Sequence, residues 1–305
     1  MNEIIRTENL CKYFGIVKAV DDISISIQKG EIYGFLGLNG AGKTTTIRML
    51  LGMIRPTSGA SYLHGKKVSS SNPDLWTEVG NLVEIPYSYP DLTVFENLDI
   101  IRQLRFIENS KAVDEIIDRL RLDQYRNIIA KNLSLGNVQR LGLAKAMIHN
   151  PDILILDEPA NGLDPAGIVE VREMLLDLAI NKGVTVFISS HILGEVSKFA
   201  TRIGIIHNGR LILESGVSEM EKLRKRSLHI KALDLDGAKV LLEKKGYNPV
   251  LAEGNFLEIN NNEALQKPEY IATILVNSGF PPFMLKVEEE DLESFFFRVI
   301  STKEV

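Results

Sequence analysis

One segment, Gly37-Leu38-Asn39-Gly40-Ala41-Gly42-Lys43-Thr44, constrains the fold more than any other, because it has the pattern G-x-x-x-x-G-K-[ST]. It follows an apolar run over 31–36 that is typical of a buried strand, and it precedes a helical pattern from Lys43 to about Leu51. Glycines in such a loop let backbone N–H groups converge on an anion, and the helix N-terminus adds a positive partial charge. The Lys43 ammonium suits contact with β- and γ-phosphates, and the Thr44 hydroxyl suits Mg²⁺. The segment therefore predicts a phosphate-binding loop between a strand and a helix.

Hydrophobic patterning around this loop predicts an α/β fold. Alternation such as Ile23-Ser24-Ile25-Ser26-Ile27 predicts an antiparallel β edge over about residues 4–27. Continuous apolar runs lie over 152–156 and 183–188, and the residues between them have a helical pattern. Together they predict a parallel core sheet covered on both faces. Apolar residues at helical spacing over 92–126 predict a helical insertion, which we place at about 85–145.

Two carboxylates end one of the predicted core strands. The run Ile153-Leu154-Ile155-Leu156 is followed directly by Asp157 and Glu158. Parallel sheets bind ligands at the carboxyl ends of their strands, so both side chains belong near the phosphate loop. Asp157 suits the Mg²⁺ shell, and Glu158 is the candidate to orient or deprotonate an attacking water.

The sequence pattern of the chain changes after about residue 220. The charged segment 221–226 predicts a linker between a first domain over 1–220 and a second over 227–305. The second part has the order strand (228–232), helix (237–245), two strands (248–252 and 255–259), helix (263–278), strand (282–287) and helix (291–300). Its βαββαβ order predicts a small α+β, ferredoxin-like module. No cluster of titratable or metal-ligating residues stands out there, which favours regulation or partner contact over catalysis.

Composition excludes some classes of protein. With 35 Lys and Arg against 40 Asp and Glu, the net charge is −5, which provides no global field for holding nucleic acid. The single cysteine, Cys11, cannot form an intramolecular disulfide and is expected to be a buried small side chain. No stretch approaches the length of about 18 apolar residues that a spanning helix needs, so any membrane component is expected in another polypeptide.

Three further motifs lie in order along the chain. Leu133-Ser134-Leu135-Gly136-Asn137 precedes a helical run and predicts a second helix N-terminal anion site; Asn161-Gly162-Leu163-Asp164 and Ser189-Ser190-His191 follow it. Together with the phosphate loop and Asp157-Glu158, these motifs resemble the nucleotide-binding subunit of an ATP-binding-cassette (ABC) transporter over about residues 3–220. The resemblance implies a P-loop NTPase fold, ATP and Mg²⁺ as cofactors, and ATP hydrolysis. It also implies integral-membrane permease partners, a homodimer or paired cassette at the ATP sites, and a cytoplasmic, peripheral location at the inner face of the cell membrane.

The resemblance also implies roles for individual residues. Ser134 and Gly136 correspond to the signature motif that completes the ATP site of the opposite subunit, and Asp164 to the aspartate that links the two sites. His191 corresponds to the switch histidine on the γ-phosphate, and Phe14, or its neighbour Tyr13, to the aromatic that stacks on adenine. The other residues assigned to nucleotide binding are Gly37, Asn39, Gly40, Gly42, Lys43, Thr44 and Thr45. The catalytic candidates are Glu158, His191, Lys43 and Glu84, and the metal candidates are Thr44, Asp157 and Glu84.

Two departures from the family pattern narrow the resemblance. The signature reads Ser134-Leu135-Gly136-Asn137 where most members have Ser-Gly-Gly-Gln, and Glu84 occupies the position where most members have a glutamine. A glutamate offers only acceptors and a charge, so it should bind metal more strongly than glutamine and repel γ-phosphate. These features, with the chain length and the C-terminal module, resemble the ABC ATPases that protect Gram-positive bacteria against lantibiotics and bacitracin.

Other readings of the sequence stay open at this point. One is an ABC exporter ATPase for unrelated cargo, in which Glu84 is a neutral variation. Another is a soluble ABC ATPase acting on nucleic acid or ribosomes, which is weaker because the chain has one cassette, no long heptad arms and an acidic balance. A GTPase is set aside, because Asn181-Lys182-Gly183-Val184 lacks the acidic residue that accepts the N–H donors of guanine.

Overall fold

The structure, a computed structural model, describes residues 3–69, 72–84, 86–252 and 254–301. Residue 85, at which the predicted helical insertion begins, and the outermost residues of both predicted domains lie outside this range. The chain forms two compact units that meet in sequence after Val217. Across the described ranges, no helix is both long and apolar enough to cross a membrane.

The first unit contains an antiparallel sheet whose strand order is β2-β1-β5-β6, with β3 paired to β1. Its strands are β1 (Glu3–Phe14), β2 (Val17–Ile23), β3 (Ser26–Gln28), β5 (Ser58–Leu63) and β6 (Lys66–Lys67), and β4 (Ile32–Leu36) belongs to the next sheet. Burial alternates over residues 23–27, as the period of two in the sequence predicts, because Ile23, Ile25 and Ile27 are buried and the serines between them are not. Cys11 is buried, as expected.

A six-stranded sheet forms the centre of the first unit, in the order β11-β10-β4-β9-β8-β7. Its other strands are β7 (Val79–Leu82), β8 (Ile153–Asp157), β9 (Thr185–Ser190), β10 (Arg202–His207) and β11 (Arg210–Gly216). All pairs are parallel except β10 with β11. Every residue of β4 and β8 is buried, which explains why these strands are apolar up to Asp157, the last residue of β8. The order places the carboxyl ends of β4, β9 and β8 side by side.

The helices of the first unit cover this sheet and form the insertion. They are α1 (Lys43–Leu50), α2 (Val94–Leu104), α3 (Ala112–Arg119), α4 (Leu135–Met147), α5 (Pro165–Lys182) and α6 (Leu193–Val196), with α7 (Val217–Leu223) at the boundary. Thr93 and Glu96 form a capping box that starts α2, so the insertion has its own helix-start signal. The predicted α/β class, with an antiparallel edge, a parallel core and a helical insertion, is confirmed.

The second unit is a four-stranded antiparallel sheet in the order β13-β14-β12-β15, which is the arrangement of a ferredoxin-like module. Its elements are β12 (Arg226–Ala232), α8 (Leu235–Lys244), β13 (Val250–Ala252), β14 (Phe256–Ile259), α9 (Asn262–Gln266), α10 (Pro268–Asn277), β15 (Pro282–Glu289) and α11 (Leu292–Ser301). Its own core includes Leu228, Leu242, Leu257, Ile271 and Leu275.

One sequence expectation differs from the structure in the second unit. The single helix expected over 263–278 is divided, because Pro268 starts a new helix and Lys267 before it has the non-helical angles φ −132° and ψ 62°. The charged segment 221–226 contains the end of α7, residues 224–225 and the start of β12, and the Arg224 side chain donates to the backbone oxygen of Glu290.

Candidate active site

The phosphate-loop segment connects β4 to α1. Gly42 precedes the helix with φ 112°, a conformation that a side chain would strain. A Cβ atom on Gly42 would lie 2.4 Å from the backbone oxygen of Ala19, and one on Gly37 would lie 2.5 Å from that of Ile206. Both glycines are therefore required by close backbone approach. Asn39 and Gly40 are exposed at the tip of the loop, and Thr45 is half-buried in the first turn of α1.

The side chain of Lys43 is held over this loop and is 6% exposed. Its Nζ donates to the backbone oxygens of Gly37, at 2.8 Å, and Leu38, at 3.3 Å. Its ion-pair partner is Glu158, with Oε1 3.3 Å from Nζ. The ammonium is thus positioned at the mouth of the loop by two neutral acceptors and one carboxylate.

Asp157 lies at the carboxyl end of β8 and is nearly buried. The Thr44 hydroxyl donates to its Oδ2 at 2.7 Å, and the Ser189 hydroxyl, from the end of β9, donates to its Oδ1. The buried carboxylate and its hydroxyl partners together provide hard oxygen ligands, which fit Mg²⁺.

Glu158 is the next residue along the chain, and its backbone has φ 50°. The turn is fixed because its N–H is shared between the backbone oxygen of Ser189, at 3.2 Å, and the Ser189 hydroxyl, at 3.1 Å. Its Oε2 lies 2.9 Å from Nδ1 of His191, so Glu158 joins Lys43 to His191. We call Lys43, Thr44, Asp157, Glu158 and His191 the carboxylate cluster.

Glu84, a predicted metal ligand, pairs with a basic side chain in the structure. It follows β7 with φ 59°, its side chain is 57% exposed, and it forms an ion pair with Arg48 on α1. Arg48 lies five residues after Lys43 on the helix that begins at the phosphate loop. The charge of Glu84 is therefore compensated by the phosphate-loop helix.

The structure separates the two aromatic candidates. The Tyr13 hydroxyl donates to Oδ1 of Asp21 at 2.8 Å, and this hydrogen bond raises the pKa of Tyr13 well above its usual range. Arg210 binds Oδ2 of Asp21 through two nitrogens, so Tyr13 is part of a fixed network. Phe14 is 53% exposed and ends β1, which leaves its ring the more accessible of the two.

Ser134, Gly136 and Asp164 form a second group. Ser134 caps α4 by accepting from the N–H of Asn137, and Asp164 caps α5 by accepting from the N–H of Gly167 at 2.9 Å. A Cβ on Gly136 would meet the backbone oxygen of Gly162 at 3.2 Å, so the start of α4 packs on the segment that leads to Asp164. The nearest neighbours of Gly136 are thus in this segment rather than in the phosphate loop.

Three residues at the site received no role from the sequence. The Ser189 hydroxyl donates to the Asp157 carboxylate and accepts from the Glu158 backbone N–H. The amide of Gln139 on α4 approaches the backbone oxygen of Glu158 at 3.4 Å, and Arg48 pairs with Glu84. Ser189 could have been found, because it directly precedes Ser190-His191 at the end of a strand expected to lie beside β8. The sequence gives no indication of the ion pair between Arg48 and Glu84, since this pair depends on the backbone turn at Glu84.

Comparison with known proteins gives matches over most of the chain. The family model described as ABC transporter matches residues 20–161. The bacitracin transport ATP-binding protein BcrA of Bacillus licheniformis is 37% identical over 302 residues, covering 98% of each chain. The lantibiotic transport ATP-binding protein SrtF of Streptococcus pyogenes is 36% identical over 72% of this chain and 94% of its own length. A solved structure of the ADP conformation of an ATP-binding cassette is 28% identical with a TM-score of 0.63, covering 72% of this chain and 95% of that one.

Proposed function

Since the chain belongs to the ABC transporter ATP-binding family and is an ATPase subunit of that family, we propose that it powers export of lantibiotic- or bacitracin-type peptide antibiotics. The main support for ATP hydrolysis is the carboxylate cluster, in which Glu158 lies within contact distance of both Lys43 and His191. The cargo part is supported by similarity to BcrA along almost the whole chain, the second unit included.

The carboxylate cluster suggests how its residues divide the work of hydrolysis. A γ-phosphate in the loop offers Lys43 stronger acceptors than the backbone oxygens that it contacts, and it competes with Glu158 for the ammonium. Glu158 is then free to accept a proton from water, while His191 holds its other oxygen. Thr44 and Asp157 would hold Mg²⁺, which neutralises charge on the phosphates when bound.

The second group of residues supports a paired arrangement. Ser134 and Gly136 present the N-terminus of α4, where backbone N–H groups favour an anion. We place them at the phosphates of an opposite chain, with Asp164 beside the junction between the two sites. Head-to-tail contacts of this kind close into a two-fold dimer, either of two copies or with a related cassette.

The helical insertion supports contact with a membrane permease. Large apolar side chains exposed there include Tyr87, Leu104 and Phe106, at 76%, 65% and 90%. The Lys145 ammonium of α4 donates to the Tyr87 backbone oxygen, the Ser88 hydroxyl and Asn97 Oδ1, and burial lowers its pKa to about 8. These bonds hold Tyr87 and Ser88 to α4, which carries Ser134 and Gly136. We propose that the permease binds this surface at the cytoplasmic face of the membrane, and we expect no nucleic-acid partner.

Deletion of the gene is the direct test of the proposed function. We expect deletion to sensitise cells to bacitracin or a lantibiotic, and we expect the chain to co-purify with a permease from detergent-solubilised native membranes. Wild-type chain should restore protection, and Lys43→Ala should not. A permease without sensitisation would assign another cargo, and recovery of ribosomes or nucleic acid without a permease would favour a soluble ATPase.

Glu84→Gln is expected to change antibiotic protection while leaving ATP binding largely intact. The substitution keeps the shape and removes the ion pair with Arg48, which is exposed and contributes roughly 1 kcal/mol or less to folding. The survival of deletion cells carrying each variant, with nucleotide affinity measured in parallel, checks this. Glu243→Gln, which removes an exposed paired carboxylate in the second unit, is the matched control. Equal protection by both variants would show that Glu84 has no special role.

A further inference from the structure

A group of three potential metal ligands lies away from the carboxylate cluster. His64 is in the turn between β5 and β6, Glu78 precedes β7, and Asp152 precedes β8. The His64 Nε2 is 3.2 Å from Oε2 of Glu78 and 3.1 Å from Oδ1 of Asp152. In the part of the chain that the structure describes, no other three His, Cys, Asp or Glu residues have ligand atoms all within 4.8 Å of one another. We call these residues the imidazole cluster.

The main chain positions the three residues independently of their side chains. The N–H groups of Asp152 and Ile153 both donate to the backbone oxygen of Glu78, at 3.1 and 3.2 Å. The backbone oxygen of Asp152 accepts from Thr185 at 2.8 Å, and the His64 N–H donates to Ile4 at 2.8 Å. The cluster therefore does not depend on its own hydrogen bonds for its location.

The spacing and donor types match a tetrahedral cation. Zn²⁺ with nitrogen and oxygen ligands at about 2.0–2.2 Å needs ligand atoms roughly 3.3–3.6 Å apart. The two observed distances from Nε2 are shorter by a few tenths of an ångström, which small side-chain rotations correct. One imidazole with two carboxylates suits Zn²⁺, Co²⁺ or Mn²⁺ better than Ca²⁺ or Mg²⁺, which take oxygen ligands. Three protein ligands leave a fourth position for water, and the partial exposure of all three side chains allows entry.

We propose that the imidazole cluster binds a divalent transition-metal cation, with Zn²⁺ as its first candidate. The cation would join the β5–β6 turn of the antiparallel sheet to the amino ends of β7 and β8. Asp152 directly precedes β8 and Asp157 ends it, so the two are about 16 Å apart at a rise of roughly 3.3 Å per residue. The site is therefore separate from the Mg²⁺ ligands at the nucleotide, and its role is to stabilise the junction of the two sheets.

Metal titration of the full-length chain tests the proposal. After treatment with EDTA and dialysis into excess Mg²⁺, added Zn²⁺ should raise the Tm progressively, because the cation binds only the folded cluster. Co²⁺ should bind in one equivalent and give the visible absorption of tetrahedral coordination. His64→Gln and Asp152→Asn, which keep hydrogen-bonding groups, should lose both effects and retain basal ATPase activity. His207→Gln, which removes a histidine outside the cluster, should keep both effects.

Two outcomes would overturn the proposal. In one, Zn²⁺ shifts the Tm of wild-type chain and His64→Gln equally. In the other, the wild-type chain binds neither cation, and His64→Gln only lowers its metal-free Tm, which would make the cluster an ion pair alone.

Discussion

Glu158→Gln is expected to lower ATP turnover by about 100- to 10,000-fold, the range that a positioned general base contributes. Glutamine keeps the shape of the side chain and can still contact Lys43 and His191, but it cannot accept a proton from water. The phosphate loop is unchanged, so nucleotide affinity should be retained. Steady-state phosphate release and equilibrium binding of labelled ATP measure the two quantities.

The same variant should accumulate as an ATP-bound dimer. ATP drives closure in so far as it binds the closed pair better than the open one, and hydrolysis removes that difference. With hydrolysis blocked, size-exclusion chromatography with ATP should show a dimer that ADP does not support. Glu173→Gln on α5, at an exposed carboxylate, is the matched control and should turn over like wild type. Wild-type turnover by Glu158→Gln would remove this residue from the role of base.

Lys43→Ala is expected to abolish most nucleotide binding or to lower turnover by at least about 100-fold, comparable with the loss of one preorganised donor in an active site. The side chain is nearly buried and carries a charge aimed at the loop, so its removal leaves the phosphates without their cation and Glu158 without its ion-pair partner. Binding of a fluorescent ATP analogue and the turnover rate check this together.

Folding of the Lys43 variant needs its own control. Circular dichroism and the Tm should show a native fold, since backbone contacts of Gly37 and Gly42 hold the loop independently of the lysine. Lys239→Ala, at a surface ion pair of the second unit, should bind and hydrolyse ATP normally. Unchanged binding and rate in Lys43→Ala would contradict the assigned role.

Local chemistry explains what could be predicted from the residues alone. The loop 37–44 is recognisable because each constraint on it lies within a few residues: glycines where the backbone passes close to neighbours, then a lysine and a hydroxyl at the helix start. Asp157 and Glu158 could be placed for a similar reason, since parallel strands end at one edge of a sheet. The order of strands and helices after residue 226 was likewise sufficient to indicate the ferredoxin-like sheet.

The side-chain pairings that could not be predicted join residues that are distant in sequence and meet only through the sheet order. Tyr13 and Phe14 are equivalent candidates in the sequence, and the structure distinguishes them because Arg210 reaches Asp21, which binds Tyr13. The partner of Glu84 is Arg48 because a left-handed turn after β7 directs the carboxylate to α1.

The imidazole cluster likewise could not be predicted from the sequence and is seen only in the tertiary structure. Its three members are separated by 14 and 74 positions, and no motif connects them. They meet because β7 pairs with β8 and because the β5–β6 turn lies over the start of both strands. The sequence by itself determined the chemistry of the nucleotide site, since that chemistry resides in short segments. Only the tertiary structure decided which charged and aromatic side chains are paired and which stay accessible, because pairing is a property of the distances between strands.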